Sequence, residues 1–255
     1  MSKGMHTEAP INDKSSFILS GRRTYADQFL RFARDTSLRE NQLYFYDFNA
    51  KANYEISDKD RIYLSGYFGR DVFKFGGGFG LNWGNSTATL RWNHIFNNKL
   101  FSNLSFIYSR YNYNLEISAD GIDWTSDIDN YNIRYDLGYY LNDNLKFDFG
   151  VSGIYYTFNP GQLDPLGANS AINPTKLDDK FAVEAGAYVS LEHKISDKLT
   201  AEYGLRYSYF NRLGNQTLNT YANNLPVVYN DQLRIYERAN PTGETTYGSG
   251  ESIAT

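Results

Sequence analysis

The chain has 255 residues, a formal net charge of −4 and no cysteine, a length that suits one large β domain or two ordinary ones. Apolar residues make up 41% and aromatics 17%, with 23 Tyr and 17 Phe, while mean hydropathy is −0.56. Scattered cations on a net acidic chain argue against a nucleic-acid surface, and with no apolar run near the ~18 residues of a membrane helix, a bilayer could be crossed only by a barrel.

So many tyrosines point to an interface, where the ring sits in lipid and the hydroxyl in water. The absence of cysteine fits a bacterial envelope protein.

In chain order, residues 1–14 are polar, with no apolar stretch after Lys3, and do not read as a secretory signal peptide. Ser16 to Arg23 reads as a first strand, and Tyr25, Phe29, Phe32 and Ala33 recur at helical spacing in the connection that follows. From Asn41 to Phe73 two alternating runs flank a polar turn at residues 57–60. Tyr44, Tyr46, Phe48, Ala50, Ala52 and Tyr54 share one face, against Asp47, Asn49, Lys51, Asn53 and Glu55. A glycine-rich connection over 75–84 leads to a strand with Ala88, Leu90, Trp92 and Phe96 opposite Thr89, Arg91 and Asn93. A turn at 97–99 follows, then a strand from Leu100 to about Leu115, then an acidic loop over 118–130.

The second half repeats the pattern. Ile133, Tyr135, Leu137 and Tyr139 oppose Asn132, Arg134, Asp136 and Gly138, and a turn at 142–144 leads into Leu145, Phe147, Phe149 and Val151. A Pro-containing loop spans 159–179. Val183, Ala185, Ala187 and Val189 then oppose Glu184, Gly186, Tyr188 and Ser190, and a turn at 196–198 opens a last strand with Tyr203, Leu205 and Tyr207 against Arg206. Beyond Asn211 the chain is polar, apart from a short alternating patch at Leu225 to Tyr229.

The expected fold is all-β: an antiparallel transmembrane β-barrel segment of about nine strands. It divides into a polar segment 1–14, a partial barrel 15–212, and a long polar extracellular loop or truncated end 213–255. Short turns alternate with long loops, as in barrels with short periplasmic turns, and the strands exceed the five to six residues usual in a soluble sandwich. A charge on the lipid side at mid-membrane costs ~2–4 kcal/mol. The expected lumen-facing polar residues are therefore Lys51, Arg91, Arg134, Asp136, Glu184 and Arg206.

Other patterns carry little chemistry. The Gly76–Gly80 run lacks the Lys-Ser/Thr and helix of a phosphate loop. Asp120, Asp123, Asp127 and Asp129 miss the spacing of a Ca²⁺ loop and read as a solvated acidic loop. His94 and His193 lie near turns without clustered ligands and read as interfacial residues. Arg22 and Arg23, adjacent on a strand, point to opposite faces. No catalytic motif, metal site or cofactor site is expected.

The segments SSFILSGRRTYADQF and YFYDFNAKANYEISDKDRIYLSGYFGRD, with the later SDKLTAEYGLRYSYF, resemble TonB-dependent outer-membrane receptors. The resemblance is to the branch whose N-terminus carries a carboxypeptidase-regulatory-like domain, and it runs from Ser15 onward. It implies a 22-stranded barrel with an N-terminal plug, importing a nutrient with energy relayed from the inner membrane. Signal peptide, TonB box, plug and a terminal aromatic strand are not among these residues, so the expectation is a barrel fragment in outer-membrane lipid, coupled to TonB only through other parts, with an unidentified ligand and no nucleic acid. An odd count of nine also cannot close antiparallel. The alternatives are a self-contained small barrel, serving as adhesin or pore, and an outer-membrane enzyme.

Overall fold

The computed structural model describes residues 2–167 and 170–253. Ten long strands form one antiparallel sheet: β1 (Ser2–Asn12), β2 (Ser15–Thr24), β3 (Gln42–Ser57), β4 (Asp60–Phe75), β5 (Phe79–Asn97), β6 (Leu100–Ile117), β7 (Ile122–Asn142), β8 (Leu145–Pro165), then β10 (Lys180–Ser196) and β11 (Leu199–Leu213). A two-residue strand, β9 (Thr175–Lys176), pairs with the far end of β8. Helices α1 (Ala26–Leu30) and α2 (Thr36–Arg39) lie between β2 and β3. The sheet is open: β1 has no second neighbour, and β11 pairs on its free side only where Arg212 and Leu213 meet β16 (Ser252–Ile253). Between them β12 (Gln216–Thr220) pairs with β15 (Gly243–Tyr247), and β13 (Val227–Asn230) with β14 (Ile235–Arg238).

Register sorts side chains by face, because residues directly opposite one another share a face and alternate residues change it. One row runs Ala9, Phe17, Ala52, Leu64, Leu90, Phe106, Ile133, Gly153, Ala185, Tyr209. All ten are apolar, Tyr or Gly. The next row up the strands, on the opposite face, is mixed: Glu8, Lys51, Ser65, Thr89, Asn132 and Glu184 stand with Ile18, Ile107, Ile154 and Phe210. The apolar face meets no second layer: Leu64, Val151 and Leu205 are 57%, 57% and 77% exposed, and only Val72, Ala182 and Ile253 are buried hydrophobics among the described residues.

A four-residue unit recurs at one end of every hairpin: Ile11-Asn12-Asp13-Lys14, Ile56-Ser57-Asp58-Lys59, Phe96-Asn97-Asn98-Lys99, Leu141-Asn142-Asp143-Asn144 and Ile195-Ser196-Asp197-Lys198. The Asn or Ser side chain accepts the N–H two residues on, at 2.9, 3.2, 2.9, 2.9 and 3.3 Å respectively, an Asx or Ser turn that closes a two-residue connection. The residue ahead of it is bulged out of register in all five, and these five apolar side chains are all exposed.

Each hairpin is offset from the last by the same amount. Along the apolar row, Ala9, Ala52, Leu90, Ile133 and Ala185 lie three, five, seven, nine and eleven residues before the Asn or Ser of their own turns, two residues more at each hairpin. One residue of slide per strand, about 3.3 Å for every ~4.8 Å of separation, corresponds to strands tilted by about 35°.

The expected nine strands are thus ten, because residues 2–12 form β1 within the segment expected to be a polar N-terminal stretch. Its His6, Glu8 and Pro10 alternate with Lys3, Met5, Thr7 and Ala9, and a face that carries Lys3 and Thr7 is too thinly apolar to read as a strand. With ten strands the parity objection to antiparallel closure falls, although the sheet remains open. The expected acidic loop over 118–130 is mostly strand: β7 begins at Ile122 after the turn at 118–121. A register shift between Thr125 and Asp127 breaks its alternation. Likewise β8 continues to Pro165 and β5 begins at Phe79, so much of the sequence expected as loop is hairpin extension, in which a row of Leu81, Leu115, Trp124 and Leu163 lies beside a row of Asn82, Asn114, Thr125 and Gln162 on the opposite face.

Candidate functional site

All six charged residues expected to face inward lie on the polar face, in two groups. Arg134 and Asp136, two apart on β7, share a face by the strand period, and Nε of Arg134 lies 2.7 Å from Asp136 Oδ2. One register row then joins Asp136 to Gly150, Tyr188 and Arg206. The Tyr188 hydroxyl crosses β8 to donate to Asp136 Oδ1 at 2.7 Å. It can do so because Gly150 lies beneath: a Cβ there would come within 2.8 Å of the Tyr188 ring and 2.9 Å of Asp136 Oδ1. Arg206 crosses β10 in the same way, its guanidinium 2.8 Å from where a Gly186 Cβ would stand, and its Nε donates to Ser208 Oγ at 3.1 Å. Glu184, on the same face, accepts from the Tyr156 hydroxyl at 3.3 Å.

A cavity of about 430 Å³ opens beside this group, lined by Asp136, Tyr188, Lys146, Asp148, Phe101 and Tyr140. Lys146 pairs with Asp148 at 2.8 Å and lies 5.6 Å from the centre of the Tyr140 ring. Lys51 and Arg91 fall in a separate hollow of about 340 Å³ with Tyr63, Asn53 and Ser65, on β3 to β5, and the structure does not bring them to the Arg134 group. Lys51, Arg91 and Arg206 form no ion pair among the described residues, so the polar face offers unpaired cations able to bond an anionic group.

Tyr188, Tyr156 and the glycines between them were missed in the sequence because tyrosine was assigned to an interface. Alternation already puts Tyr188 on the polar face, as it does Tyr63 and Tyr67, and Tyr111 and Tyr156 join them there; the hydroxyls of Tyr156 and Tyr188 find carboxylate partners. The detectable signal was glycine in strand interiors at Gly150 and Gly186, which marks a close approach.

The acidic residues beyond the apolar rows are tied into the wall. Tyr108 donates to Asp129 Oδ1 at 2.6 Å, Asn159 donates to Asp127 Oδ2 at 3.2 Å, and Asn114 bonds Asp123. His94 Nδ1 lies 2.7 Å from Asp60 Oδ1, which also accepts from Trp92 Nε1 at 3.0 Å. Arg22 pairs with Asp47 at 2.5 Å, and Arg23 with Asp27 at 2.9 Å while its guanidinium lies 4.8 Å from the centre of the Tyr44 ring. No group of three or more His, Cys, Asp or Glu is placed to hold a metal ion among the described residues, and no helix among them is long and apolar enough to cross a membrane, which says nothing of a barrel.

No family profile and no curated protein matches the sequence. Solved structures do. The ferripyoverdine receptor of the outer membrane of Pseudomonas aeruginosa superposes with TM-score 0.63 at 10% identity, over 94% of this chain and 37% of the receptor. The ferric preacinetobactin receptor of Acinetobacter baumannii gives 0.60 at 11% identity, over 83% and 39%. The ferric-catecholate import receptor Fiu of E. coli K12 gives 0.59 at 12% identity, over 99% and 47%. The chain therefore has the fold of outer-membrane receptor barrels and spans between about a third and a half of their length.

Proposed function

We propose that this chain forms part of the barrel wall of a TonB-dependent outer-membrane receptor that imports a nutrient, with the polar face lining the lumen and the apolar face in lipid. The observation that carries this is the separation of faces across ten strands. On β7 the apolar-face side chains run from Tyr131 to Leu141. Ten residue steps of ~3.3 Å at a tilt of ~35° give a band of about 27 Å, against the ~25 Å apolar band of outer-membrane barrels. Polar groups resume past that band, at Asp129 and Arg110 on one side and at the hairpin turns on the other.

On this reading the five two-residue turns face the periplasm, and the β5–β8 extensions and α1–α2 segment stand outside the cell. The role of the wall on this reading is passage and contact. The Arg134–Asp136–Tyr188–Arg206 row and the Lys51–Arg91 hollow are the surfaces a solute would meet, while plug and TonB contact belong to other parts of such a receptor. The similar structures include receptors for ferripyoverdine and ferric preacinetobactin, a copper transporter and a hemophore receptor; the solute here is a nutrient of unassigned class.

The test is a pair of substitutions five residues apart on β7. Leu137→Arg, on the apolar face near mid-band, is expected to lose ~2–4 kcal/mol, about 30-fold or more in the fraction assembled in phospholipid vesicles. Asn132→Arg, on the polar face, is expected to change it by less than about threefold. Equal losses would refute the facing.

A further inference from the structure

The recurring turn unit also fixes how each hairpin docks on the one before, through one backbone bond repeated four times. Glu55 donates its N–H to the Lys14 carbonyl, Ile95 to Lys59, Tyr140 to Lys99 and Lys194 to Asn144, each at 2.8 Å. In every case the donor stands two residues before the Asn or Ser of its own turn, and the acceptor is the last residue of the preceding turn. The fifth turn offers the same acceptor, the Lys198 carbonyl, and among the described residues no strand supplies the donor.

We infer that the free edge of β11 is the docking edge for a further antiparallel membrane strand carrying its own turn unit, seated so that the residue two before that turn donates to Lys198. The direction is set by β16, which lies antiparallel on the first rungs of this edge through Ile253–Arg212 and Ser252–Leu213. The rungs toward Leu199 present backbone N–H and C=O groups that a strand must satisfy, because an unpaired group facing hydrocarbon is expensive. The strand that fits is of the length of β3 or β10, 16 and 17 residues.

The structure also says which strand fits less well. In β1 the residue two before Asn12 is Pro10, which has no N–H to donate. Its homologues in the repeat, Glu55, Ile95, Tyr140 and Lys194, all direct this N–H toward the preceding hairpin, so in β1 the proline lies on the free edge, where proline is tolerated in sheets. Pairing of β1 with β11, within one chain or from a second copy, would therefore leave the Lys198 carbonyl without this bond, and a strand with an N–H at that position fits the edge better. This rests on the barrel-wall reading, and it assigns the two edges different roles: β1 is blunted at the turn end and β11 accepts.

The test is strand addition to the full chain refolded in phospholipid vesicles. A synthetic peptide with the sequence of residues 180–198 places its Lys194 opposite Lys198 of the chain, and hence its position 187 opposite Leu205. With Ala187→Cys in the peptide, disulfide capture by Leu205→Cys chain is expected to exceed capture by Tyr203→Cys or Tyr207→Cys chain at least tenfold. Lys194→Pro in the peptide is expected to cut it at least tenfold. Capture without register preference, undiminished capture of the Pro peptide, no capture at all, or dimerisation of chain through β1 would each overturn the inference. Membrane integration of the uncaptured chain, scored in the same samples, tests the barrel-wall reading separately.

Discussion

Two glycines at equivalent depths of the wall should respond in opposite directions to the same added methyl group. At Gly150 on the polar face, a Cβ would stand 2.7 Å from the Tyr135 carbonyl oxygen, 2.8 Å from the Tyr188 ring and 2.9 Å from Asp136 Oδ1. The backbone oxygen cannot move freely, and displacing Tyr188 breaks its bond to Asp136. Overpacking costs ~1–3 kcal/mol, and a partly exposed hydrogen bond adds ~0.5–1.5, so Gly150→Ala should destabilise by about 2–4 kcal/mol. At Gly66 on the apolar face the nearest atom to a Cβ is the Thr87 carbonyl oxygen at 3.9 Å, an ordinary contact. Gly66→Ala should therefore be neutral or stabilise by up to ~1 kcal/mol through reduced backbone freedom. The assay is urea unfolding from phospholipid vesicles, followed by fluorescence of the three tryptophans. Shifts within ~0.5 kcal/mol of each other, or a larger loss at Gly66, would refute the claim that strand glycines make room for crossing side chains.

A double-mutant cycle of Tyr188→Phe and Asp136→Asn should give a coupling of ~0.5–1.5 kcal/mol by the same unfolding assay, and additivity would show that the hydroxyl bond contributes nothing. Asn142→Ala, which deletes the side-chain acceptor of the fourth turn, should cost ~1 kcal/mol, as loss of a comparable side-chain-to-backbone cap does. Asp143→Ala, one residue along, should stay within ~0.5 kcal/mol. If the two turn variants behave alike, the Asn and Ser positions do not set the turn.

The faces of the central strands were legible because the residues of β3, β4, β7, β8 and β10 alternate strictly over the length that meets the apolar band. The same rule failed where its physical cause stops. Beyond the band neither side needs to be apolar, so the β7 stretch from Ile122 to Asn130 carries Asp123, Asp127 and Asp129 and resembles a loop, yet its backbone pairs with β6 residue by residue. The site was half legible. Period two placed Arg134 and Asp136 on one face, but their partner Tyr188 lies 52 residues from Asp136 and is brought there by the stacking of β7, β8 and β10 in register, which no local pattern encodes. Lys51 and Arg91 share the face without sharing the site, since strand order separates them.

The missed strand β1 shows which sequence signal carried more weight than alternation. Its own residues are too polar to announce a strand, but it ends in Ile-Asn-Asp-Lys, the same unit that ends β3 and β10 as Ile-Ser-Asp-Lys. That unit does three things at once. The bulged Ile is left exposed at the border of the apolar face, the Asn or Ser closes the turn, and the last carbonyl receives the next hairpin two residues short of its own turn. The third of these produces the tilt, because a seat two residues short, repeated at each hairpin, is the one-residue slide per strand that inclines the wall by about 35°. The tilt in turn sets how many apolar residues each strand needs to cross the band. A four-residue turn repeated five times therefore carries the dimension to which the long alternating runs are fitted, and for β1 it identifies a strand that composition conceals.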